Sequence, residues 1–257
     1  MIGGILGAKL TQTINTDQIL MTGALILIVS MMFFGISSSK FCLSKNIDKR
    51  GNEKPLHAIL EVKEYVFLMA MVVLLSQFVI NLANFKFNLL FDVLVETKHE
   101  KTKNLNLIYS SINAVSLAVQ LLVIPFVFHL VKKRSVHLFI PSFYLLIALV
   151  GFVISGSSLI AVATTFVLFK GLDYSIFSTA KELLYFPLEA RQKYGAKYVV
   201  DMFVYRFGKG LISIILIFFQ SPKFVNTLLF ISLLLWLGFV IPLFKKGDQI
   251  VTRKESL

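Results

Sequence analysis

The sequence predicts an all-α, polytopic membrane protein, a bundle of about seven transmembrane helices. Two observations predict this class. Of the 257 residues, 56% are hydrophobic and only 16% are charged, with a mean hydropathy of +0.79, whereas a soluble domain carries roughly 25% charged residues. The apolar residues also form uncharged runs whose length is close to the about 20 residues that a bilayer-spanning helix needs. These values exclude soluble, disordered and disulfide-stapled classes.

The first three spans are separated by polar loops. Residues 19–36 contain no charge and precede a basic stretch, and residues 65–83 end where asparagines begin. Residues 107–131 include Pro125, which a membrane helix tolerates because neighbouring groups satisfy the freed carbonyl. The basic triplet at 132–134 ends this third span.

The remaining spans follow in close succession. Ser155-Gly156-Ser157 forms a turn so short that the spans before and after it are predicted to be antiparallel neighbours. The polar segment of residues 170–197 then precedes a span that has Asp201 near its start. The predicted spans are residues 19–36, 65–83, 107–131, 136–154, 158–169, 198–220 and 225–244.

Lysine and arginine concentrate in alternate loops, which predicts the topology. Basic residues collect in loops that stay in the cytoplasm, so the C-terminus is predicted to be cytoplasmic and the N-terminus external. The net charge of +12 is interpreted in this way, and no nucleic-acid partner is predicted. Because Met1 would fall inside a helix of a longer protein, we expect the chain to be the C-terminal part of a larger transporter. The predicted organisation is the end of a first helical half (1–36), a cytoplasmic basic linker (37–64), a C-terminal six-helix bundle (65–244) and a cytoplasmic tail (245–257).

Enzyme signatures are absent from the sequence. It contains no G-x-x-x-x-G-K-[ST] phosphate loop, no H-E-x-x-H and no G-x-S-x-G. Its one cysteine, Cys42, offers neither a disulfide nor a zinc pattern. The sequence therefore predicts that the protein is not an enzyme and has no cofactor and no metal site. The lipid bilayer is its expected environment.

Residues 170–188 carry the charges of greatest interest. A charge at the centre of a spanning helix costs at least ~2.5–3.5 kcal/mol, so it persists where it pairs or lines an aqueous cavity. Lys170 and Asp173 stand three residues apart and are expected to pair. Lys181 has only the adjacent Glu182 as an acid, which makes it the best candidate for a free cation that attracts an anionic substrate. The alternative is that Lys181 and Glu182 lie at a helix end and contact headgroups or water.

Asp201, Tyr205 and Lys209 share one face of the following span because they recur every four residues. Such a face suits a substrate with a phosphate or a carboxylate, with Tyr205 offering a ring or a hydroxyl. Asp201 and Lys209 are expected to be too far apart to pair. The alternative is polar contact between helices, with Asp201 bound to Lys197.

Two further groups of polar residues have weaker interpretations. The end of the second span is expected to leave the membrane, although it could line a cavity; it holds Asn81, Asn84, Lys86 and Asn88. The four histidines show no metal-ligand spacing; they are His57, His99, His129 and His137.

The polar segment resembles a known family, the ATP/ADP translocases of plastids and obligate intracellular bacteria. The matching residues are Tyr174-Ser175-x-Phe177, Lys181-Glu182-x-x-Tyr185-x-Pro187-Leu188, Lys193, Lys197, Asp201 and Gly208-Lys209-Gly210. The resemblance implies a major-facilitator-like fold and exchange of ATP for ADP in a bacterial inner membrane. It also implies that Lys181 binds substrate beside Glu182 and Tyr185, on a cavity that Asp201, Tyr205 and Lys209 face, and that a first half lies upstream of Met1.

One departure from the family keeps other functions open. Where the translocases tend to read Asn-Leu-x-Glu, this chain reads Asn81-Leu82-Ala83-Asn84, and the acid is missing. The first hypothesis is a nucleotide antiporter, or its C-terminal portion. The second is a major-facilitator-type carrier of another organic anion, and the third is a truncated membrane protein that does not transport or that completes a separate N-terminal half-carrier.

Overall fold

The computed structural model describes residues 16–40, 58–155 and 158–255. These residues are overwhelmingly helical, and no strand occurs in them. The predictions for Cys42, His57, Gly156, most of the basic linker and the first 15 residues lie outside the described ranges. The chain divides into two compact units, residues 1–52 with 95–111 and residues 53–94 with 112–257. The candidate site lies wholly in the second unit.

Seven helices can be followed in the described ranges. Five of them are long and apolar enough to cross a membrane, namely α2, α3, α4, α5 and α7, which supports a multi-pass membrane protein. In α1 the described apolar part, Met21–Ile36, is shorter, and α6 carries six charged residues. The count of seven spans therefore stays a prediction. The helices are α1 (Thr16–Lys40), α2 (Lys63–Leu94), α3 (Lys98–Leu130), α4 (Lys133–Ile154), α5 (Leu159–Leu183), α6 (residues 190–218) and α7 (Pro222–Glu255).

Helix α2 forms the centre of the second unit. It packs against α5, α6 and α7, while α4 packs against α7 and α5. Met69, Val72 and Leu82 are fully buried along α2. Because lipid tails are as apolar as leucine, close packing rather than the hydrophobic effect stabilises such contacts in a bilayer. The core therefore fixes which faces of α5 and α6 point toward each other.

Aromatic rings join α4, α5 and α7. Tyr144 stacks on Phe169 with ring centroids 4.5 Å apart, and its hydroxyl donates to the Phe169 carbonyl at 3.0 Å. Trp236 makes edge contacts with both Tyr144 and Phe177, at 5.8 and 5.2 Å. Offset and edge-to-face pairs of this kind contribute ~0.5–1.5 kcal/mol each beyond their burial. This aromatic layer holds α5 in place beneath the candidate site.

Two segments that were predicted as loops are helical. Helix α2 continues to Leu94, because Lys86 turns into the bundle and finds polar partners there. The stretch from Leu188 to Lys197, which its basic residues predict to be a connection between spans, is helical over Ala190–Lys197. A capping box explains this start, since Glu189 and Gln192 each bond the backbone of the other. Both segments are polar, and polarity by itself predicts a loop rather than a helix.

Wide π-helical turns interrupt four of the helices. They lie at Val119–Val123, Leu149–Ile154, Asp173–Phe177 and Tyr198–Val204. Each such turn rotates the residues beyond it relative to a regular helix, and π-turns occur frequently at functional sites. Two of them, in α5 and α6, are next to the candidate site.

Candidate functional site

The centre of the candidate site is an ion pair between α5 and α6. The Nζ atom of Lys181 lies 2.8 Å from Oδ1 of Asp201, and the Tyr185 hydroxyl donates to the same oxygen at 3.1 Å. The side chains of Lys181 and Asp201 are 17% and 27% exposed, so the pair is largely shielded but remains accessible. A carboxylate with two donors is held firmly in one position.

A second ion pair joins the same two helices. Lys197 contacts Glu182 at 2.6 Å, and its ammonium also lies 5.2 Å from the Tyr185 ring centroid. These side chains are more exposed, at 35% and 48%, so this pair contributes less than the first. The two pairs have opposite polarity, because α5 supplies the cation in one and the anion in the other.

Two ammonium groups lie close to the Tyr205 ring. Lys209 is 4.3 Å from the centre of this ring, and Lys181 is 5.7 Å from the same centre. Both distances are within the ≈ 6 Å range of a cation–π contact. The predicted common face of Asp201, Tyr205 and Lys209 thus forms in part, since Lys181 contacts both Asp201 and Tyr205.

A buried carboxylate lies below this group. Asp173 is only 7% exposed, and it interacts electrostatically with Lys170, Lys209 and Lys181. The expected ion pair with Lys170 does not form within 4 Å; the Lys170 ammonium lies instead 5.5 Å from the Tyr174 ring.

The pairing of Lys181 differs from what the sequence suggests. Lys181 is not a free cation, because Asp201 approaches it from a different helix. The alternative pairing of Asp201 with Lys197 is also wrong, since Lys197 binds Glu182. Asp201 and Lys209 form no ion pair, as expected. No spacing rule within α5 could reveal Asp201, which is 20 residues away along the chain.

Tyr185 acts as a hydrogen-bond donor in this site. Burial, and then the negative charge of Asp201, raise the pKa of the Tyr185 phenol far above its ordinary value. The hydroxyl therefore keeps its proton at every physiological pH. Its function is to fix the orientation of the Asp201 carboxylate.

A separate polar contact lies around Lys86. Its ammonium donates to Oδ1 of Asn226 at 2.7 Å and to the Phe152 carbonyl at 3.2 Å, and it lies 4.5 Å from the Phe152 ring. These residues line a cavity of about 360 Å³ between α2, α4, α5 and α7. Lys86 therefore points into the bundle, whereas the sequence favoured an exit from the membrane.

No protein-family model matches the chain, and no curated protein or solved structure matches it significantly. No group of three or more His, Cys, Asp or Glu side chains that could hold a metal ion occurs within the described ranges. The resemblance to the translocases is therefore carried by the motif residues alone.

Proposed function

We propose that the chain transports nucleotides across a membrane by ATP/ADP-type exchange, by itself or as the C-terminal portion of a larger antiporter. The observation that carries this proposal is the pair of ammonium groups, Lys181 and Lys209, that both lie within 6 Å of the Tyr205 ring centre. They lie in a bundle with five helices that are long and apolar enough to span a bilayer. Cations in such a setting are costly unless they serve a ligand or a partner.

Phosphate groups suit this arrangement. The ammonium groups of Lys181 and Lys209 bind phosphate oxygens through charge-assisted hydrogen bonds, and Tyr205 holds the two cations near each other. Lys181 is paired with Asp201, whereas Lys209 forms no ion pair within 4 Å among the described residues. An incoming anion therefore meets Lys209 first and Lys181 second.

Exchange follows from competition for Lys181. In the empty carrier, Asp201 neutralises Lys181 and the two ion pairs tie α5 to α6. A phosphate that takes the place of Asp201 on Lys181 releases one of these ties. The loaded carrier then reorients by rocking of helical bundles, whereas the empty carrier does so slowly. A carrier of this kind exchanges substrates rather than leaking them.

A second candidate function is transport of another organic anion. Asn84 replaces the acid that the resembled family uses, and nearby Lys86 is paired only with the neutral partners Asn226 and Phe152. An unneutralised cation at that position favours a substrate with a negative group there. A carboxylate or sulfate compound satisfies this requirement as well as a nucleotide.

The decisive experiment measures uptake of labelled ATP and ADP by intact bacterial cells that express the chain, alone and with a candidate first half. We expect saturable uptake that is accelerated by unlabelled nucleotide on the opposite side. Lys181→Ala is expected to lower uptake at least about tenfold, since it removes a charge-assisted contact of ~1.5–3 kcal/mol. Lys223→Ala, an exposed lysine at the start of α7, is the matched control and is expected to leave uptake unchanged.

Each other outcome points to a different function. If the cells take up one of a panel of organic anions but no nucleotide, transport of another organic anion replaces nucleotide exchange as the proposed function. No uptake of any compound by membrane-inserted protein, with or without the first half, would refute transport and leave a non-transporting membrane protein. Equal losses in Lys181→Ala and Lys223→Ala would refute the assigned site.

A further inference from the structure

A second cavity lies at the end of the bundle where α2 and α4 begin and α5 and α7 end. Its volume is about 590 Å³. Three consecutive cations, Lys132, Lys133 and Arg134, line it, together with His137 and a single carboxylate, Asp248. None of the residues of the candidate transport site belongs to this lining.

Among the described residues, the three cations have no acidic partner within ion-pair distance. Within the described part of the chain, none of them forms an ion pair within 4 Å, whereas Lys181, Lys197 and Lys246 each do. The ammonium of Lys133 lies 5.0 Å from the Phe186 ring, and Lys193 approaches the same ring to 5.5 Å. Two cations on one ring concentrate positive charge at the mouth of the cavity, and Asp248 offsets only part of it.

The position of the cations on α4 makes this concentration unfavourable. Lys132 is the N-cap residue of the helix, Lys133 and Arg134 lie in its first turn, and no side chain caps the free backbone N–H groups. A helix N-terminus carries partial positive charge and favours anions there. Basic residues at this position repel that charge, and a bound anion would remove the conflict.

His137 supplies an independent sign of a missing ligand. It lies one turn further along α4, is only 2% exposed, and lines the same cavity. Its Nε2 atom is buried and has no hydrogen-bond partner within the described residues. Buried polar atoms are almost always satisfied, so this nitrogen beside the cavity is an exception.

We infer that this cavity binds a phosphate-bearing anion, taken either from an anionic phospholipid headgroup or from a soluble phosphate compound. Phosphate oxygens accept hydrogen bonds from the three cations and from the first-turn N–H groups of α4. The proposal does not depend on transport activity, because the cavity and the candidate site share no residue.

The test uses the full chain purified in detergent, with native mass spectrometry to obtain dissociation constants. The probes are dioleoylphosphatidylglycerol and, separately, inorganic phosphate, with the zwitterionic dioleoylphosphatidylcholine, whose net charge is zero, as the comparison. The test variant is K132Q/K133Q/R134Q. The matched control is K98Q/K101Q/K103Q, which removes the same charge outside the cavity lining.

We expect the triple variant to bind the anionic probe about 100-fold more weakly and the control to stay within about threefold, since each basic residue near a headgroup contributes about fivefold. Phosphatidylglycerol binding identifies the lipid source, and inorganic phosphate binding alone identifies the soluble source. Failure of both probes to bind, or equal losses in test and control variants, overturns the proposal. The single variants K133Q and R134Q, each altering one exposed side chain, keep the test decisive if the triple variant does not purify, and each is expected to lose about fivefold.

Discussion

At the residue scale, Asp201 connects the elements of the candidate site. It accepts from Lys181 and from Tyr185, and it lies in the π-turn of α6. Removing the charge of Asp201 leaves the largely buried Lys181 without its ion-pair partner. Glu182, which pairs with Lys197 at the more exposed position, offers a natural comparison.

Asp201→Asn is expected to lower the free energy of unfolding by about 2 kcal/mol, because hydrogen bonds to a charged group contribute ~1.5–3 kcal/mol each and one remains possible through the amide. Glu182→Gln is expected to cost below about 1 kcal/mol, as exposed pairs do. Thermal unfolding of the detergent-purified proteins measures both. An equal or reversed order would show that Asp201 does not hold α5 to α6.

The charged residues of the candidate site also differ in how far their contacts follow from the sequence. The sequence singled out Lys181 as a free cation and, separately, Asp201, Tyr205 and Lys209 as one helix face, whereas the structure brings Lys181 to both Asp201 and Tyr205. The sequence missed the pairings, because an ion pair between helices depends on their rotation. No pattern within a single helix records that rotation.

At the element scale, small residues set how closely the helices approach. A Cβ atom added at Gly171 of α5 would lie 2.6 Å from Cγ1 of Val115 in α3. Val115 is β-branched and stiff at χ1, so it cannot turn aside at low cost. The glycine therefore permits a contact that any larger residue prevents.

Gly171→Ala is expected to destabilise the protein by ~1–3 kcal/mol, the usual cost of overpacking. Gly238→Ala in α7, where a Cβ atom would meet nothing within 4 Å, is expected to be neutral or to stabilise by up to about 1 kcal/mol through helix propensity. Unfolding midpoints in detergent compare the two. A stable Gly171→Ala protein would place α3 farther from α5 than the structure does.

Elements were predictable to different degrees. The apolar parts of α4 and α7 follow from uninterrupted hydrophobic runs. The extension of α2 to Leu94 and the helix at Ala190–Lys197 were not foreseen, because polar residues at a span end indicate a loop unless partners in other helices are known. Lys86 finds such a partner in Asn226.

At the scale of the whole molecule, the succession of spanning helices makes a prediction about sidedness. Connections after α3 and α5 and the C-terminal end of α7 gather around one cavity, and antiparallel helices place the intervening connections at the opposite end. The positive-inside rule assigns the first end to the cytoplasm.

Single cysteines placed in a Cys42→Ser background test this assignment. Cysteine at Ser135 or Pro187 is expected to react with a membrane-impermeant maleimide only after cells are opened. Cysteine at Ser155 or Ser221 is expected to react in intact cells. Labelling of all four positions from one side would contradict a bundle in which α4, α5 and α6 each cross the bilayer.

By itself the sequence determined that the chain is helical and rich in apolar spans, where its basic residues cluster, and which segment carries the polar motif. These properties are local, since they depend on composition and on runs of about 20 residues. Tertiary structure alone decided that Asp201 neutralises Lys181, that Lys86 turns inward, and that Lys132 to Arg134 meet His137 around one cavity. The physical reason is that the packing and the rotation of the helices determine which distant side chains meet. The wide π-helical turns contribute, because each rotates the residues beyond it.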